Sequence, residues 1–475
     1  MYKKPNDQLT LDDFKLPFEG KLKADNRWVK MAAIIPWDEI EQKYAKLFPN
    51  DVGNVAKPAR LALGALIIKE KCGYSDEETV YQIEENPYLQ YFLGFKEYIQ
   101  EQPFDPSLMV HFRKRFGFEN INEINEMIAN IQKQEDKDDD DEPKNKGTML
   151  IDATCAPADI RYPTDISLLN EAREKTEKII DTLYEPLKGT IKKPRTYRQK
   201  AHKRYLSISK KRKVKANNMR KGVGQQLRYL SRNFKHIEKL KGLSDNALLS
   251  CRQEQELEVI KTLHDQQKKM YEQKIHSIKD RIVSISQPHV RPIVRGKVKT
   301  PTEFGAKFSI NLINGYAFIE NLSWDNYHEG DSFIPAVEAY REKKGYYPLV
   351  VGADAVYRNR NNLRYCKEHG IRLSGPRLGR PPKVISAAQK KLARLDSRKR
   401  NAVEGAFGVA KRRYGLNLVM AKLKDTSETV IALQFLVMNL ERRLRFLFVL
   451  FSKSVLHRFK AIFSKVTNQM DLIYA

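Results

Sequence analysis

The sequence predicts an α/β chain in which a mixed five-stranded sheet, interrupted by a large helical insertion, follows an all-α N-terminal unit. Three observations carry this. Apolar runs of strand length stand on both sides of a long stretch with helical periodicity. Residues 30 to 130 show helical patterning alone, and an acidic run separates them from the first strand. The length of 475 residues exceeds one ordinary domain, while 41% hydrophobic and 10% aromatic residues suffice for real cores.

Charge narrows the class of partner. A formal net charge of +27 calls for a polyanion or costs self-repulsion, and nucleic acid is the commonest such partner. The four cysteines, Cys72, Cys155, Cys251 and Cys366, form no Cys-x-x-Cys pair, which argues against a zinc ribbon or thioredoxin-like site and for reduced thiols in a cytoplasmic protein. The N-terminus lacks the apolar core of a secretory signal. The run Phe446 to Phe451 is far shorter than the roughly 20 residues needed to cross a bilayer, so a packed helix is expected there and no membrane partner.

Within the N-terminal unit, Pro58 to Lys71 is apolar on more than one face and reads as a buried helix. Ser75-x-x-Glu78 has capping-box spacing. Asp105-Pro106 reads as an N-cap and first-turn proline opening a helix that carries His111, Arg113, Lys114 and Arg115 beside Leu108, Phe112 and Phe116. Short helices ending in a basic one suggest a helix-turn-helix-like DNA reader, with Arg113, Lys114 and Arg115 facing DNA. An amphipathic helix with a solvated charged face would carry the same residues. Gln134 to Lys146 (QEDKDDDDEPKNK) is a linker by composition. The expected layout is therefore 1–135 helical and DNA-binding, and 136–146 acidic linker. The sheet domain takes 147–166 and 287–440, the basic helical insertion 167–286, and a helical tail 441–475.

The insertion is basic in its first half. Between Lys188 and Lys241 stand twenty Lys or Arg against one acidic residue, Glu238, with Tyr197, Tyr205 and Tyr229 interleaved. A solvated helical face would mix signs, so one sign alone points to phosphate contacts, with Lys210, Lys211, Arg212 and Lys213 the densest run. The second half carries Leu257, Ile260, Leu263, Met270, Ile278 and Ile282 at helical spacing, as in a helical hairpin or a dimer seam.

Strand signals bracket this block. Met149 to Thr154 is the first. Phe304 to Leu312 and Tyr316 to Leu322 flank Asn314-Gly315, a strong hairpin signal. Pro335 to Lys344 reads as a helix and Tyr347 to Asp354 as a buried strand. Asn361 to His369 is then a helix capped by Gly370, Ile371 to Ser374 a short strand, and Arg400 to Tyr414 a helix. Gly375 to Arg398 is Pro-, Gly- and basic-rich. Without the insertion the order is strand, two-stranded hairpin, helix, strand, helix, strand, helix, the ribonuclease-H-like succession. Its logic puts carboxylates midway along the first strand, just past the fourth, and on the helix after the fifth. Asp152, Asp354 and Glu404 fall there. Three converging carboxylates repel unless divalent cations neutralise them, and hard oxygen donors suit Mg²⁺, with Mn²⁺ as substitute. Two such ions about 4 Å apart activate an attacking hydroxyl and stabilise the leaving oxygen of a phosphodiester.

The helix Arg400-Asn-Ala-Val-Glu404-Gly-Ala-Phe-Gly-Val-Ala-Lys411 resembles the R-(3)-E-(6)-K signature of bacterial insertion-sequence DDE transposases. These offsets lie near one and two helical turns, so Arg400 and Lys411 share a face with Glu404, where they can hold DNA phosphates beside a metal-bearing carboxylate. The tyrosine that the family has three residues before the arginine is replaced by Ser397. TMLIDATCAPADIRYPTD and LVVGADAVYRNRNN are similar to the first- and second-Asp segments, and GKVKTPTEFGAKFSI to the hairpin strand after the insertion. LFPNDVGNVAKPARLALGALIIKEKCGYSDEETV is similar to the N-terminal domain of the insertion-sequence-five-like or 1182-like group. The resemblance implies a bacterial, nucleoid-associated enzyme that recognises terminal inverted repeats, excises the element and transfers its strands into target DNA.

Other candidates rank below these. Asp159, Asp165 and Asp325 lie past strand ends and read as turn or supporting residues; His328 and His369 are isolated. Gly375 and Gly379 form no phosphate-binding loop, so no nucleotide cofactor is expected. No aromatic between Gly375 and Lys399 offers to stack a flipped base. Cutting two element ends calls for two active sites and hence a homodimer on double-stranded DNA. A sequence-specific DNA-binding protein derived from such an enzyme but inactive would use the same basic surfaces; a ribosomal RNA binder would leave the carboxylates unexplained.

Overall fold

The computed structural model describes residues 14–16, 20–48, 54–130, 145–243, 249–294, 302–375, 378–379 and 386–447. The acidic linker expected over 136–146 lies outside them except for its last two residues, as does the expected tail beyond 447.

Six helices come first: α1 (Arg27–Ile34), α2 (Trp37–Ala45), α3 (Ala59–Cys72), α4 (Asp76–Glu85), α5 (Pro87–Phe92) and α6 (Leu108–Asn130). The all-round apolarity of α3 is spent as expected, with Leu61 through Ile68 buried. Ser75 Oγ accepts the Glu78 amide to open α4, and Asp105 Oδ1 accepts the Ser107 amide ahead of α6. Within α6 the chain breaks at Gly117, whose φ of 66° is easily reached by glycine alone.

The sheet has six strands, β1 (Thr148–Pro157), β2 (Arg291–Val294), β3 (Thr302–Ile313), β4 (Tyr316–Ser323), β5 (Val350–Gly352) and β6 (Arg372–Leu373), in the order β2-β3-β1-β5-β6 with β4 also on β3. One strand more than the expected five is present, and it is β2. It pairs with Thr302 to Gly305, the part of β3 that β4 leaves uncovered. The β3–β4 turn is the expected one, with Asn314 and Gly315 both left-handed (φ 50° and 81°). β1 runs antiparallel to β3 and parallel to β5, and β5 parallel to β6.

Alternation along β1 separates two cores. Met149 and Ile151 join Phe333, Val337 and Tyr340 of α11 (Phe333–Lys344) and Cys366 of α12 (Arg360–Glu368). Leu150 and Ala156 point the other way, into a core that holds Val403 and Phe407 of α13 (Ala387–Arg413) and most of α14, which spans 424–447. That core continues without a break into α1–α6. α14 is an element beyond the expected succession, and its Ile431 to Val437 are buried nearly all round, as a helix between two layers must be.

Between β1 and β2 stand α7 (Asp165–Tyr184), α8 (Arg198–Ser209), α9 (Ala216–Lys241) and α10 (Cys251–Gln273), with apolar clusters of their own. Leu257, Ile260 and Leu263 of α10 are buried against α7 and α9, so this stripe closes within one chain. Arg173 is fully buried, with its two terminal nitrogens donating to Glu177 (2.6 Å) and Asn170 (2.8 Å). Tyr205 and Tyr229 also face inward.

One buried acid gives a testable pH effect. Glu70 of α3 faces Gln434 of α14, and burial pushes its carboxyl up to about 7 against the pull of Lys69 and Arg113. A raised folded pKa means that Glu70 keeps its proton below that range and that stability declines as pH rises from the ordinary carboxylate value through about 7. Glu70→Gln should therefore match the wild type near pH 4 and exceed it by about 1–3 kcal/mol at pH 8. Denaturant titrations at the two pH values check this; equal stability at both would remove the ionised Glu70 as a cost.

Candidate active site

Each acidic candidate is placed by a different element. Asp152 sits inside β1 opposite Ile310, its side chain on the face toward α13 because Leu150 and Ala156 of the same parity point there. Asp354 follows β5 and caps the next turn, its Oδ1 accepting the Ala355 amide at 2.7 Å. Glu404 lies on α13, one position past the buried Val403. α13 is held against the sheet by Val403, Phe407 and Ala410, with Phe407 edge-on to Phe308 of β3 at 6.1 Å.

The fold brings these groups near one another beside β1 and the end of β5. Arg400 donates to Asp354 Oδ1 at 2.7 Å and lies 3.8 Å from Glu404 Oε1. Asp354 and Glu404 are 51% and 60% exposed, open to a substrate or an ion. Asp152 is more enclosed. Burial, then the carboxylates of Glu329 and Asp354, push its carboxyl up to about 6, against the Ala153 amide and Arg400, which pull it down. Among the described residues no three Asp, Glu, His or Cys side chains stand close enough to ligate one ion as they are. The guanidinium of Arg400 supplies the positive charge between two of them.

Glu329, which carries no mark in the sequence, joins the site. It follows β4 in a short turn, with Oε1 3.0 Å from the buried Lys307 ammonium, which also donates to Tyr327 O at 2.8 Å. Asn362 of α12, buried, donates one amide to both Gly330 O and Tyr357 O, each at 2.9 Å. It thereby ties the Glu329 turn to the turn that follows Asp354. Glu329 had no local signal, because an acidic residue in a polar turn ordinarily faces solvent.

The basic candidates divide. Arg113 is buried, its fork on Asp76 at 2.9 and 2.5 Å, which takes it off the surface where the sequence had it meeting DNA. Burial there is stable because both charges are paired and hydrogen-bonded. Lys114 is exposed, and Arg115 is exposed but bonded to Leu47 O and laid over Phe48. Lys210, Lys211, Arg212 and Lys213 form an exposed turn between α8 and α9. Lys411 is half-buried two turns along α13 from Glu404. Arg400 contacts acids of the site while staying partly exposed. Of the secondary candidates, Asp165 binds Arg281 and Gln267 and Asp325 lies 3.6 Å from Arg291. His369 packs on Tyr347 and Tyr365.

α13 itself differs from expectation. It starts at Ala387, not Arg400, behind a capping box of Ser386 and Gln389. Its added turns are rich in Ala, Gln, Lys, Leu and Arg, all strong helix formers, and the last proline stands at 382. Basic composition had masked a helical signal.

Acidic side chains from a first strand, a second strand end and a helix lie beside a basic helix on a mixed sheet, and the family match of this region makes it one of the nuclease and transposase class. Residues 351–441, which contain Asp354, Arg400, Glu404 and Lys411, match the family described as a transposase DDE domain. Residues 16–115 match a second family, described as a transposase domain (DUF772). The chain is also 32% identical over 144 residues to the uncharacterized protein ORF8 in the nfe locus of Rhizobium meliloti, an alignment covering 30% of this chain and 68% of that protein. No solved structure matches. The chain belongs to the bacterial insertion-sequence DDE transposases. No helix among the described residues is long and apolar enough to cross a membrane.

Proposed function

We propose that this protein binds the terminal inverted repeats of an insertion sequence and catalyses metal-dependent DNA strand cleavage and strand transfer. The observation that carries the reading is the meeting of Asp354 and Glu404 at one guanidinium beside Asp152, whose carboxyl resists ionisation. That pattern is of carboxylates short of positive charge, and an all-oxygen donor set fits a hard divalent cation. Asp152, Asp354 and Glu404 would hold two Mg²⁺ ions, with Mn²⁺ as substitute, once Arg400 leaves Asp354. The ions, when bound, supply Lewis acidity and a deprotonated hydroxyl at neutral pH.

The chain's other groups take supporting roles. Arg400 and Lys411 would steady the phosphates around the bond that breaks. Glu329, anchored by Lys307, would keep the Asp152 carboxyl from ionising until cations arrive. The sheet order supports a ribonuclease-H-like catalytic domain with α7–α10 as an insertion. Within α1–α6, the exposed Lys114 and Arg115 would meet DNA. The enzyme would act as a homodimer on double-stranded DNA, at the nucleoid in the cytoplasm, and the likeness of its N-terminal segment favours the insertion-sequence-five-like or 1182-like group.

The test is cleavage of a supercoiled plasmid bearing the element's ends, with Mg²⁺, for wild type beside Asp354→Asn. Nicking or excision by the wild type alone supports the enzyme. Tight binding without cleavage by either, with Mn²⁺ also tried, would favour the inactive DNA-binding reading.

The α8–α9 turn gives a separate expectation. Changing Lys210, Lys211, Arg212 and Lys213 to Gln should weaken binding to all DNA sequences alike. The salt slope should fall by roughly 3–4, since each phosphate neutralised by the protein adds about 0.9 to it. Loss of sequence preference at an unchanged slope would count against phosphate binding there.

A further inference from the structure

α13 is 27 residues long, yet its buried residues, Val403, Phe407 and Ala410, all lie in its second half. From 387 to 399 every residue but Asp396 is exposed. Asp396 is held by a bidentate pair with Arg372, at 2.6 and 2.9 Å. Leu392 and Leu395 are 44% and 45% exposed. At 1.5 Å per residue the free half extends about 20 Å beyond the catalytic turn of the same helix.

Its charge has one sign. Lys390, Lys391, Arg394, Arg398 and Lys399 are the exposed charges, and the single acid, Asp396, is turned to Arg372. Lys390, Lys391, Arg394 and Arg398 line one shallow groove with Leu395. None of the four has an acidic partner among the described residues. Like charges three and four residues apart weaken a helix, and a face kept for solubility alone would mix signs. A polyanion laid along the ridge removes that cost.

Geometry sets the polyanion's place. At about 100° per residue, Lys390 and Arg394 lie about 40° and 80° around the helix from Glu404. They precede it by about 21 and 15 Å along the axis. Duplex DNA advances about 3.4 Å per base pair along each strand, so these distances span about four to six base pairs. We infer that residues 387–399 form a ridge that holds duplex DNA by its phosphates, about four to six base pairs from the bond cut at Asp354 and Glu404. This rests on the reading of α13 as part of a DNA-cutting centre. One rigid helix then sets the distance between grip and cut.

The full chain carrying Lys390→Gln/Arg394→Gln/Arg398→Gln tests it; Gln keeps helix propensity close to that of Lys and Arg. On a duplex bearing one element end, Kd should rise about tenfold or more at about 0.1 M salt, and the salt slope should fall by about 3. Lys268→Gln/Lys269→Gln/Lys274→Gln on and after α10, which removes the same charge, should stay within about twofold of the wild type. Methylphosphonates placed four to six base pairs from the terminal bond should weaken the wild type and leave the ridge variant unchanged. Unaltered Kd and slope, an equal weakening in the α10 control, or loss of self-association in place of DNA affinity would overturn the ridge. Cleavage by the wild type is scored on the same duplex. If it is absent while the ridge dependence holds, the cutting centre fails and the DNA surface stands.

Discussion

Glu404→Gln protein should bind element ends with wild-type affinity and cut them slower by a factor on the order of 10⁴, the scale seen when one member of a catalytic unit is removed. Gln keeps the shape and helix propensity of Glu, and Glu404 is exposed and not part of the core, so folding should be spared. What changes is charge. The Glu404 carboxylate would neutralise a cation together with Asp152 and Asp354, and a neutral amide is a poor ligand for a hard ion. Asp152→Asn should lose cleavage as fully. Its thermal stability at neutral pH should hold or rise, because burial and the Glu329 and Asp354 carboxylates oppose ionisation of Asp152. Gel-shift titration beside plasmid nicking measures binding and cleavage separately. Cleavage by Glu404→Gln within about tenfold of wild type would remove Glu404 from the catalytic set.

Asn439→Ala should destabilise the fold by about 3–5 kcal/mol, more than any substitution above. Asn439 of α14 is buried and bonds both groups of Ala317 on β4, accepting its amide at 3.0 Å and donating to its carbonyl at 2.8 Å. It also donates to Asn125 of α6 at 2.8 Å, and Asn125 donates in turn to Ala317 O. Truncation leaves the Ala317 amide and the Asn125 carbonyl unsatisfied in a buried interface, each costing about 1–3 kcal/mol. The same interface holds the Lys71–Glu441 ion pair and the Arg443 bond to Ile128 O. It is therefore where the first six helices, β4 and α14 are joined. Calorimetry should show a Tm lower by roughly 3–5 °C. A drop under about 2 °C would mean that these bonds do not hold the layers together.

Much of the candidate site could be read from the chain because its signals are local. Apolar Met149 to Thr154, the Asn314-Gly315 turn and the spacing of Arg400, Glu404 and Lys411 each report a backbone state through neighbours within a few residues. Arg113 shows where such reading stops. Its position on a basic helix says nothing of Asp76, 37 residues away, which draws its guanidinium inward. Glu329 is the converse, an ordinary turn residue until β4 and the Asp354 turn are brought together by Asn362.

By itself the sequence determined most of the succession of strands and helices (β2 and α14 excepted), the three acidic positions on them and the basic character of the whole, since periodicity, turn chemistry and net charge act along the chain. Only the tertiary structure decided which charges face one another. It put Arg400 between Asp354 and Glu404, turned Arg113 to Asp76, buried α14 between two layers and left residues 387–399 of α13 outside both cores. The physical reason is that a side chain's partner depends on packing between elements far apart in the chain, while its helix or strand depends mainly on its neighbours.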